Sequence, residues 1–234
     1  MSVRLVIRTF SELSITVGTV IVLFVVYVVF WTGVRATDAS DGQIDQLQDQ
    51  WARGAVQDRS TPVQGSPPAP AAYRPGRPFA VMYVPRLGRS WDWPVLEGTE
   101  VKTLKKGLGH YAGTARLGQR GNFSVAGHRR TYGDPFKDFP KLRPGDAVVL
   151  TDGATWFTYR IDNKPYLTVP DDTGVIDPVP RPLARNAIDF DGPGRYLTLT
   201  TCDPEWGSSH RLIAWAHLDA TQPVEKGRPP ALRR

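Results

Sequence analysis

A run of 22 residues without a charged side chain, LSITVGTVIVLFVVYVVFWTGV (13–34), most constrains how this chain can fold. It is long enough to cross a bilayer as one helix, which needs about 20 apolar residues. Arg4 and Arg8 precede it and favour a cytoplasmic N-terminus, although Arg35 weakens the contrast. We therefore expect a single-pass membrane protein whose remaining residues lie on the extracellular side.

A cleaved signal peptide is the alternative interpretation of this run. The apolar core of a signal peptide is normally about 7–15 residues long, and small residues at a cleavage site follow it. Here the run is longer, and the segment after it, GVRATDAS (33–40), matches such a cleavage site poorly. A retained anchor is therefore favoured.

Two segments separate the anchor from the rest of the chain. Ile44, Leu47 and Trp51 are spaced to share one face of a short helix, which we interpret as a juxtamembrane stalk. The Pro-, Ala- and Gly-rich residues 60–78 form an extended spacer, because such a composition cannot build a core. The predicted organisation is a cytoplasmic N-terminus (1–12), a transmembrane anchor (13–34), a stalk and Pro-rich linker (35–78), a folded domain (79–222) and a basic tail (223–234).

From residue 79 onward, the sequence consists of short segments rich in β-branched and aromatic residues, bounded by Gly, Pro and Asp. The pair Asp152-Gly153 between AVVL and TWFTYRI is a strong hairpin signal, and TEVKTLKKG (99–107) is compatible with one or two helical turns. Seven or so short strands predict an all-β domain that forms a closed or nearly closed barrel. The segment 171–194 is too long and Pro-rich for a simple turn, so we expect it to carry function.

The net charge of +6 does not indicate a nucleic-acid binder. Residues 79–222 contain 18 Lys and Arg against 16 Asp and Glu, whereas residues 223–234 contain 4 against 1. The surplus therefore lies partly in a tail that we interpret as a solvated terminus, not in a dense patch on the folded domain.

The only cysteine of the chain lies in LTLTTCDPEWGSSHRLIAWAHL (197–218). An unpaired cysteine in an exported protein indicates a reactive thiol or an intermolecular bridge, or else it is a small buried side chain. If the two flanking strands form a regular hairpin, Cys202 and Arg211 lie opposite each other, with their Cβ atoms about 5 Å apart. Arg211 then stabilises a thiolate or an oxyanion, or it only neutralises Asp203 or Glu205.

Cysteine chemistry also needs a proton shuttle, and the chain has four histidines. His217 lies within a predicted strand and His210 lies in a loop. His110 lies among glycines. His128 ends an apolar strand that stops at HRRTYGDPF, a setting that resembles that of Cys202. His128 is therefore favoured over His110, although no spacing rule brings it to the thiol.

With these residues in place, the chain resembles the sortases. TLTTC (198–202) matches their T-L-x-T-C signature, AGHR (126–129) ends an earlier strand, and Arg211 follows nine residues after the cysteine. GHYAGTA (109–115) and GNFSVAGHRRTYG (121–133) look especially like the class E, housekeeping-type sortases of Gram-positive actinobacteria. The resemblance covers residues 79–220.

This resemblance implies an eight-stranded sortase-like β-barrel with short helices and long loops, acting as a transpeptidase. Cys202 would attack the Thr–Gly carbonyl of a C-terminal sorting signal and form a thioacyl intermediate. His128 would be the general acid and base, and Arg211 would hold the substrate or the oxyanion. In sortases only a minority of molecules carry thiolate and imidazolium together. A peptidoglycan precursor amine would complete the reaction, and no cofactor or metal is required; some relatives use calcium, but no compact acidic cluster demands it here.

The class E resemblance also bears on specificity. Class E relatives are associated with Leu-Ala-x-Thr-Gly signals instead of Leu-Pro-x-Thr-Gly. The resemblance assigns this preference to Tyr111, whose phenol would bond the amide that alanine has and proline lacks. The alternative is that Tyr111 packs on the barrel surface. Thr201 is a second candidate for the substrate groove, or else a core threonine, and the loop 171–194 is expected to form one wall.

Three other interpretations compete with a sortase. In papain-like proteases the nucleophile precedes the histidine, which is the wrong order here. The L,D-transpeptidases use an S-x-G-C-type motif that this sequence lacks. The remaining alternative is an anchored β-domain that binds the wall or a partner protein and whose thiol is inert.

Overall fold

The computed structural model describes residues 3–58, 72–184, 187–188 and 190–233. The first helix, α1, runs from Val3 to Asp58, and the short α2 (Val101–Leu104) lies where the sequence predicts a helical turn. Within the described residues, Ile7–Tyr27 is the one segment long and apolar enough to cross a membrane, and it makes no buried contact with the rest of the protein. Most of the Pro-rich linker, residues 59–71, lies outside the described residues.

Nine strands form the domain in the described part of the chain. They are β1 (Pro78–Tyr83), β2 (Asp92–Glu97), β3 (Leu108–His110), β4 (Gly121–Ala126), β5 (Ala147–Thr151), β6 (Thr155–Ile161), β7 (Tyr166–Thr168), β8 (Arg195–Asp203) and β9 (His210–Pro223).

Eight of these strands close into the predicted barrel. Their order is β6-β5-β1-β2-β3-β4-β8-β9, and the second half of β9 returns to pair with β6. The first half of β9 pairs with β8 on one side and with the three residues of β7 on the other. β7 is therefore a ninth, accessory strand. Closure leaves no long unpaired edge in the barrel itself.

The hairpin predicted at Asp152-Gly153 connects β5 and β6. Gly153 has a φ of 90°, a left-handed conformation that glycine adopts without steric cost. The Asp152 carboxylate accepts hydrogen bonds from the backbone N–H groups of Ala154 and Thr155, at 3.0 and 2.8 Å. This is the Asx-type turn for which an Asp-Gly pair is suited.

The core fills the barrel interior. Alternate residues of each strand point inward, so that in β6 Tyr159 and Ile161 belong to the buried core and Phe157 packs against it. Branched and aromatic residues from most of the strands, together with Phe136 and Phe139 of the loop after β4, form one continuous cluster. This rigid cluster supports the strand ends at which the candidate site lies.

The strand directions define two rims. β8 is parallel to β4 and antiparallel to β9, while β1 is antiparallel to β2 and β5. Following the pairings around the barrel, the C-terminal ends of β1, β4, β6 and β8 point to the same end. We call this end the site rim, formed by the connections 84–91, 105–107, 127–146, 162–165 and 203–209.

The C-terminal half of α1 packs on the outside of the barrel instead of standing free as a stalk. Ile44 and Leu47, which the sequence places on one helical face, are 7% and 2% exposed and form a cluster with Val81. Trp51 packs over Gly153, where a Cβ atom would collide with its ring. The expected separate short helix is thus the continuation of the apolar one.

The basic tail also folds back onto the domain. β9 extends to Pro223, two 3-10 turns follow at Val224–Lys226 and Pro230–Leu232, and Pro229 is buried. Ala231 lies beside Gly145 at one cavity wall. The side chains of Glu225, Lys226, Arg228 and Arg233 are exposed.

Candidate active site

Cys202 lies at the end of β8, directly opposite Arg211 at the start of β9. The hairpin register predicted from the sequence is therefore confirmed. Cys202 is half-buried and its thiol is free. Directly opposed residues of an antiparallel pair share a face, so the side chains of Cys202 and Arg211 project from the same face of the hairpin.

Arg211 is not neutralised by the two acidic residues that the sequence offered as its partners. Asp203 pairs with Arg129 and Glu205 pairs with Arg130. Among the residues that the structure describes, Arg211 instead donates hydrogen bonds to the carbonyl oxygens of Ser208 and His210, both at 2.8 Å. Its positive charge is therefore available for an anionic or carbonyl oxygen at the site rim.

His128 follows the strand that pairs with the strand of Cys202, because β4 and β8 are parallel and in register. The ladder pairs Ala126 with Thr200. It continues through Gly127, whose N–H donates to the Thr200 carbonyl at 3.1 Å. The same register, extended by two residues, places His128 level with Cys202 on the adjacent strand, and neighbouring strands are about 4.8 Å apart.

The imidazole of His128 is partly buried and incompletely bonded. Its Nε2 atom is buried and has no hydrogen-bond partner among the described residues. Burial lowers the pKa of His128 below its usual 6.5; the Asp134 carboxylate acts in the opposite direction and Lys105 lowers the pKa further. The neutral imidazole therefore predominates at pH 7, with one nitrogen ready to exchange a proton.

The loop that follows His128 has an uncommon backbone. Thr131, Tyr132 and Asp134 have φ angles of 71°, 51° and 52°, in the left-handed region that non-glycine residues rarely adopt. The ring of Tyr132 lies 5.2 Å from that of His128, centroid to centroid. Such strained loops occur at sites whose geometry the surrounding structure holds in place.

The other three histidines have different surroundings. His110, the alternative candidate base, is 2% exposed; its Nδ1 lies 2.6 Å from Glu97 Oε2 and its Nε2 lies 3.1 Å from the Ala115 carbonyl oxygen. Both ring nitrogens are thus engaged in the interior. His217 pairs with Asp162 at 2.5 Å on the exterior of the barrel, and His210 is exposed.

The His110–Glu97 contact yields a stability prediction. Glu97→Ala leaves the buried Nδ1 of His110 without its hydrogen-bond partner, so we expect the free energy of unfolding to fall by about 1–3 kcal/mol. Thermal and denaturant unfolding followed by circular dichroism would measure this. Glu225→Ala, at an exposed glutamate, is the control and should be nearly neutral. Equal stability of the two variants would contradict a stabilising buried contact between His110 and Glu97.

A groove of about 90 Å³ lies next to Arg211, on the side of β7. Tyr111 and Thr200 line it, and the phenol oxygen of Tyr111 lies 2.9 Å from the hydroxyl oxygen of Thr200. The opposite wall comes from residues 169–176, which include the start of the loop 171–194 expected to form it. The groove therefore joins Tyr111 to the Arg211 end of the site.

Thr201 has a different environment from that of Thr200. It is 3% exposed, and its hydroxyl donates a 2.8 Å hydrogen bond to the carbonyl oxygen of Gly127. This contact fastens the residue before Cys202 to the residue before His128. Between the two interpretations that the sequence left open for Thr201, the contact favours a buried strand threonine, and it is Thr200 that lines the groove.

The sequence reasoning missed the ionic contacts between the two site loops. Arg129 with Asp203 and Arg130 with Glu205 connect the residues after His128 to those after Cys202. The guanidinium of Arg130 also lies 5.2 Å from the ring centroid of Trp206. The sequence did contain a signal for these contacts. Two basic residues follow His128 in HRR (128–130) and two acidic residues follow Cys202 in CDPE (202–205), and the strands before them, β4 and β8, are neighbours.

Within the described ranges, no group of three or more His, Cys, Asp or Glu side chains is arranged to hold a metal ion.

A closed β-barrel with a thiol, an imidazole and a guanidinium at one rim is the architecture of a cysteine transpeptidase fold. Residues 82–219 match the sortase domain family, and the chain belongs to that family. Its relatives place it in class E: it is 37% identical to sortase SrtE1 of Streptomyces coelicolor over 232 residues, 96% of this chain, and 33% identical to sortase SrtE2 of the same organism over 94% of this chain and 85% of the relative.

Solved structures agree with this assignment. Sortase E from Streptomyces avermitilis is 70% identical, with a TM-score of 0.63 over 69% of this chain and 100% of the other. A structure of sortase E1 from Streptomyces coelicolor, with a tripeptide in its active site, is 39% identical, with a TM-score of 0.61 over 69% of this chain and 99% of the other. The chain spans 60% of the length of sortase SrtE1.

Proposed function

We propose that this protein is a membrane-anchored cysteine transpeptidase that cleaves a C-terminal LAxTG- or LPxTG-type sorting signal between Thr and Gly and joins the protein to a peptidoglycan amine. One observation carries the proposal: Cys202 is opposite Arg211 in the hairpin, and the parallel β4–β8 ladder runs beside it up to the residues that precede His128. The hydrogen bond from Thr201 to the Gly127 carbonyl oxygen joins the residues directly before Cys202 and His128.

In the first half of the reaction, the Cys202 thiol gives its proton to His128, and the minority thiolate–imidazolium form reacts. The thiolate then forms a bond to the threonine carbonyl carbon and gives a tetrahedral oxyanion. The C–N bond to glycine then breaks, and the imidazolium of His128 supplies the proton that the leaving amine needs. The incoming amine loses a proton to the neutral imidazole as it attacks the thioester. The thiolate leaves, and the free enzyme is regenerated.

Arg211 is assigned the stabilisation of substrate or oxyanion. A guanidinium is always protonated in proteins and cannot be the base. Its two contacts to backbone carbonyl oxygens hold it at the start of β9 without cancelling its charge. A fixed positive charge aimed at a developing oxyanion lowers the barrier more than it stabilises the neutral substrate.

The partners and location follow from the family and from the apolar helix. The substrates are exported proteins with sorting signals, and the acceptor is a wall precursor amine; nucleic acid is not a partner. Ile7–Tyr27 would hold the protein in the membrane as a single span, with a cytoplasmic N-terminus and an extracellular catalytic domain.

The decisive experiment is intact-mass spectrometry of the protein incubated with a sorting-signal peptide. We expect a mass increase equal to the acyl fragment that ends at threonine, with release of the glycine-containing fragment. Peptide binding without any covalent adduct would instead support the alternative, an anchored β-domain that only binds its partner.

Tyr111→Phe is expected to reduce the preference for alanine over proline at the second signal position. If the Tyr111 hydroxyl donates to Thr200, its oxygen remains free to accept the alanine N–H, which proline lacks. Loss of one hydrogen bond corresponds to roughly a 2- to 10-fold change in the ratio of the two kcat/KM values. Competition between LAxTG and LPxTG peptides would measure the ratio.

The control for this variant is Tyr83→Phe, which removes a hydroxyl from β1, outside the groove lining. It should leave the alanine-to-proline ratio unchanged. If Tyr111→Phe also left the ratio of the two kcat/KM values unchanged, Tyr111 would not determine the preference for alanine over proline.

A further inference from the structure

The direction of α1 along the barrel determines which rim faces the membrane. α1 packs against β1 and β2. Burial raises the pKa of Asp92 at the start of β2, and the Asp41 carboxylate raises it further. Ile44 and Leu47 contact Val81 in the middle of β1.

Further along the helix, Trp51 reaches Gly153 in the turn between β5 and β6. The docked half of α1 therefore begins at the rim where β2 starts and ends at the opposite rim. Because α1 and β1 run in opposite directions, the N-terminal, membrane-spanning part of the helix leaves the barrel on the side of the site rim.

The distance from the bilayer to this rim is short. α1 is one helix from Val3 to Asp58. At 1.5 Å per residue, the seven residues from Val34 to Asp41 span about 10 Å, and the fourteen from Tyr27 span about 21 Å. Site-rim loops are thus the part of the barrel nearest the membrane.

The charge of the site rim suits an anionic lipid surface. Most of its carboxylates are paired with a cation of the same rim or its flanking strands, as in Asp146 with Arg86 and Asp138 with Lys141. One acidic residue of the flanking strands, Asp92 at the start of β2, has no ion-pair partner among the described residues. Six exposed cations likewise have no carboxylate partner there: Arg89, Lys105, Lys106, Lys137, Arg143 and Lys164. Each such cation near an anionic surface contributes favourably to its binding.

We propose that the site rim is a bilayer-facing surface that binds anionic lipid headgroups, so that Cys202 and its groove open toward the membrane. This inference rests on the proposed anchoring by α1. A groove so placed meets a sorting signal as it leaves the bilayer. The opposite rim also carries cations, such as Arg120 and Arg195, so the helix direction, and not charge, selects the rim.

The test uses the full chain in vesicles of anionic lipid that contain a headgroup nitroxide quencher. Since Cys202 is the only cysteine, the Cys202→Ser background allows two matched single-cysteine variants. Ser208→Cys places a fluorophore on the site rim, and Gln119→Cys places one at the opposite end; both positions are exposed. As β1 alone spans about 20 Å, we expect quenching at position 208 to exceed that at 119 at least about twofold.

Two further pairs of variants separate helix docking from charge. Leu47→Asp should abolish the difference between the two labels by undocking the helix, whereas Gln48→Asp on the exposed face should keep it. Charge reversal of Arg89 and Lys137 to Glu should reduce quenching at position 208, and the same change at Arg120 and Arg195 should not.

The outcomes distinguish this inference from the proposed function. Equal quenching at positions 208 and 119, or stronger quenching at 119, in a protein that floats with the vesicles overturns the inference alone. Failure to float with the vesicles overturns both the anchoring and the inference. Absence of the acyl adduct in the mass-spectrometry experiment overturns the catalytic proposal and leaves the rim orientation as measured. An effect of charge reversal only at the opposite rim contradicts headgroup binding by the site rim.

Discussion

Cys202→Ala is expected to eliminate both the acyl adduct and turnover. The sulfur is the atom proposed to form the bond to the threonine carbonyl, and no second thiol exists in the chain to replace it. Loss of a covalent nucleophile lowers kcat by at least about 10⁴-fold. Intact-mass spectrometry and peptide cleavage, measured on the same preparation, would detect the two losses.

The fold of this variant should remain intact. Cys202 is half-buried at a strand end, so its replacement by alanine removes only the sulfur atom. The hydrogen bonds of the β8–β9 ladder are made by the backbone and stay in place. Unchanged circular dichroism and thermal unfolding would establish this. An adduct that persisted in Cys202→Ala would assign the acylation to another side chain and refute the proposed nucleophile.

His128→Ala is expected to reduce kcat/KM by about 10² to 10⁴-fold, the usual contribution of a general acid or base. Both half-reactions require a proton transfer at the position that the unbonded Nε2 atom occupies. The variant should also lose the part of the pH profile that His128 titration produces, below the usual pKa of 6.5 because burial lowers it. Peptide cleavage measured between pH 5 and pH 9 would show this.

His210→Ala is the matched control, because His210 is an exposed histidine at the same rim. It should keep its activity and its pH profile. If His128→Ala retained near-normal activity, the histidine assignment would fail, and His110 would become the candidate despite its contacts with Glu97 and the Ala115 carbonyl oxygen.

The sequence predicted the main elements of the fold because their signals are local. The apolar run, the Asp152-Gly153 turn and the alternation of strand residues each depend on neighbouring residues only. The role of α1 was not predictable in the same way. Ile44, Leu47 and Trp51 define an apolar face, but nothing in their spacing indicates whether β1, solvent or another chain covers it.

The active site likewise combines a contact that local sequence predicts with contacts that depend on the tertiary structure. The Cys202–Arg211 pairing was predictable from a short hairpin, since only eight residues separate Cys202 from Arg211 in the chain. The position of His128 beside them depends on the parallel pairing of β4 with β8, whose residues are 74 positions apart in the chain. No local pattern encodes a contact across that distance. The same strand pairing explains why Asp203 and Glu205 form ion pairs with Arg129 and Arg130 and not with Arg211.

By itself, the sequence determined the chemistry that is available: one thiol, its opposed arginine, four histidines, an apolar helix and a β-rich domain. Only the tertiary structure decided which strands pair beside that of the thiol, which threonine lines the groove and where the helix packs on the barrel. The physical reason is that residue type and periodicity record local preferences. The convergence of distant side chains, in contrast, arises from strand order and from the packing of a helix on a closed barrel.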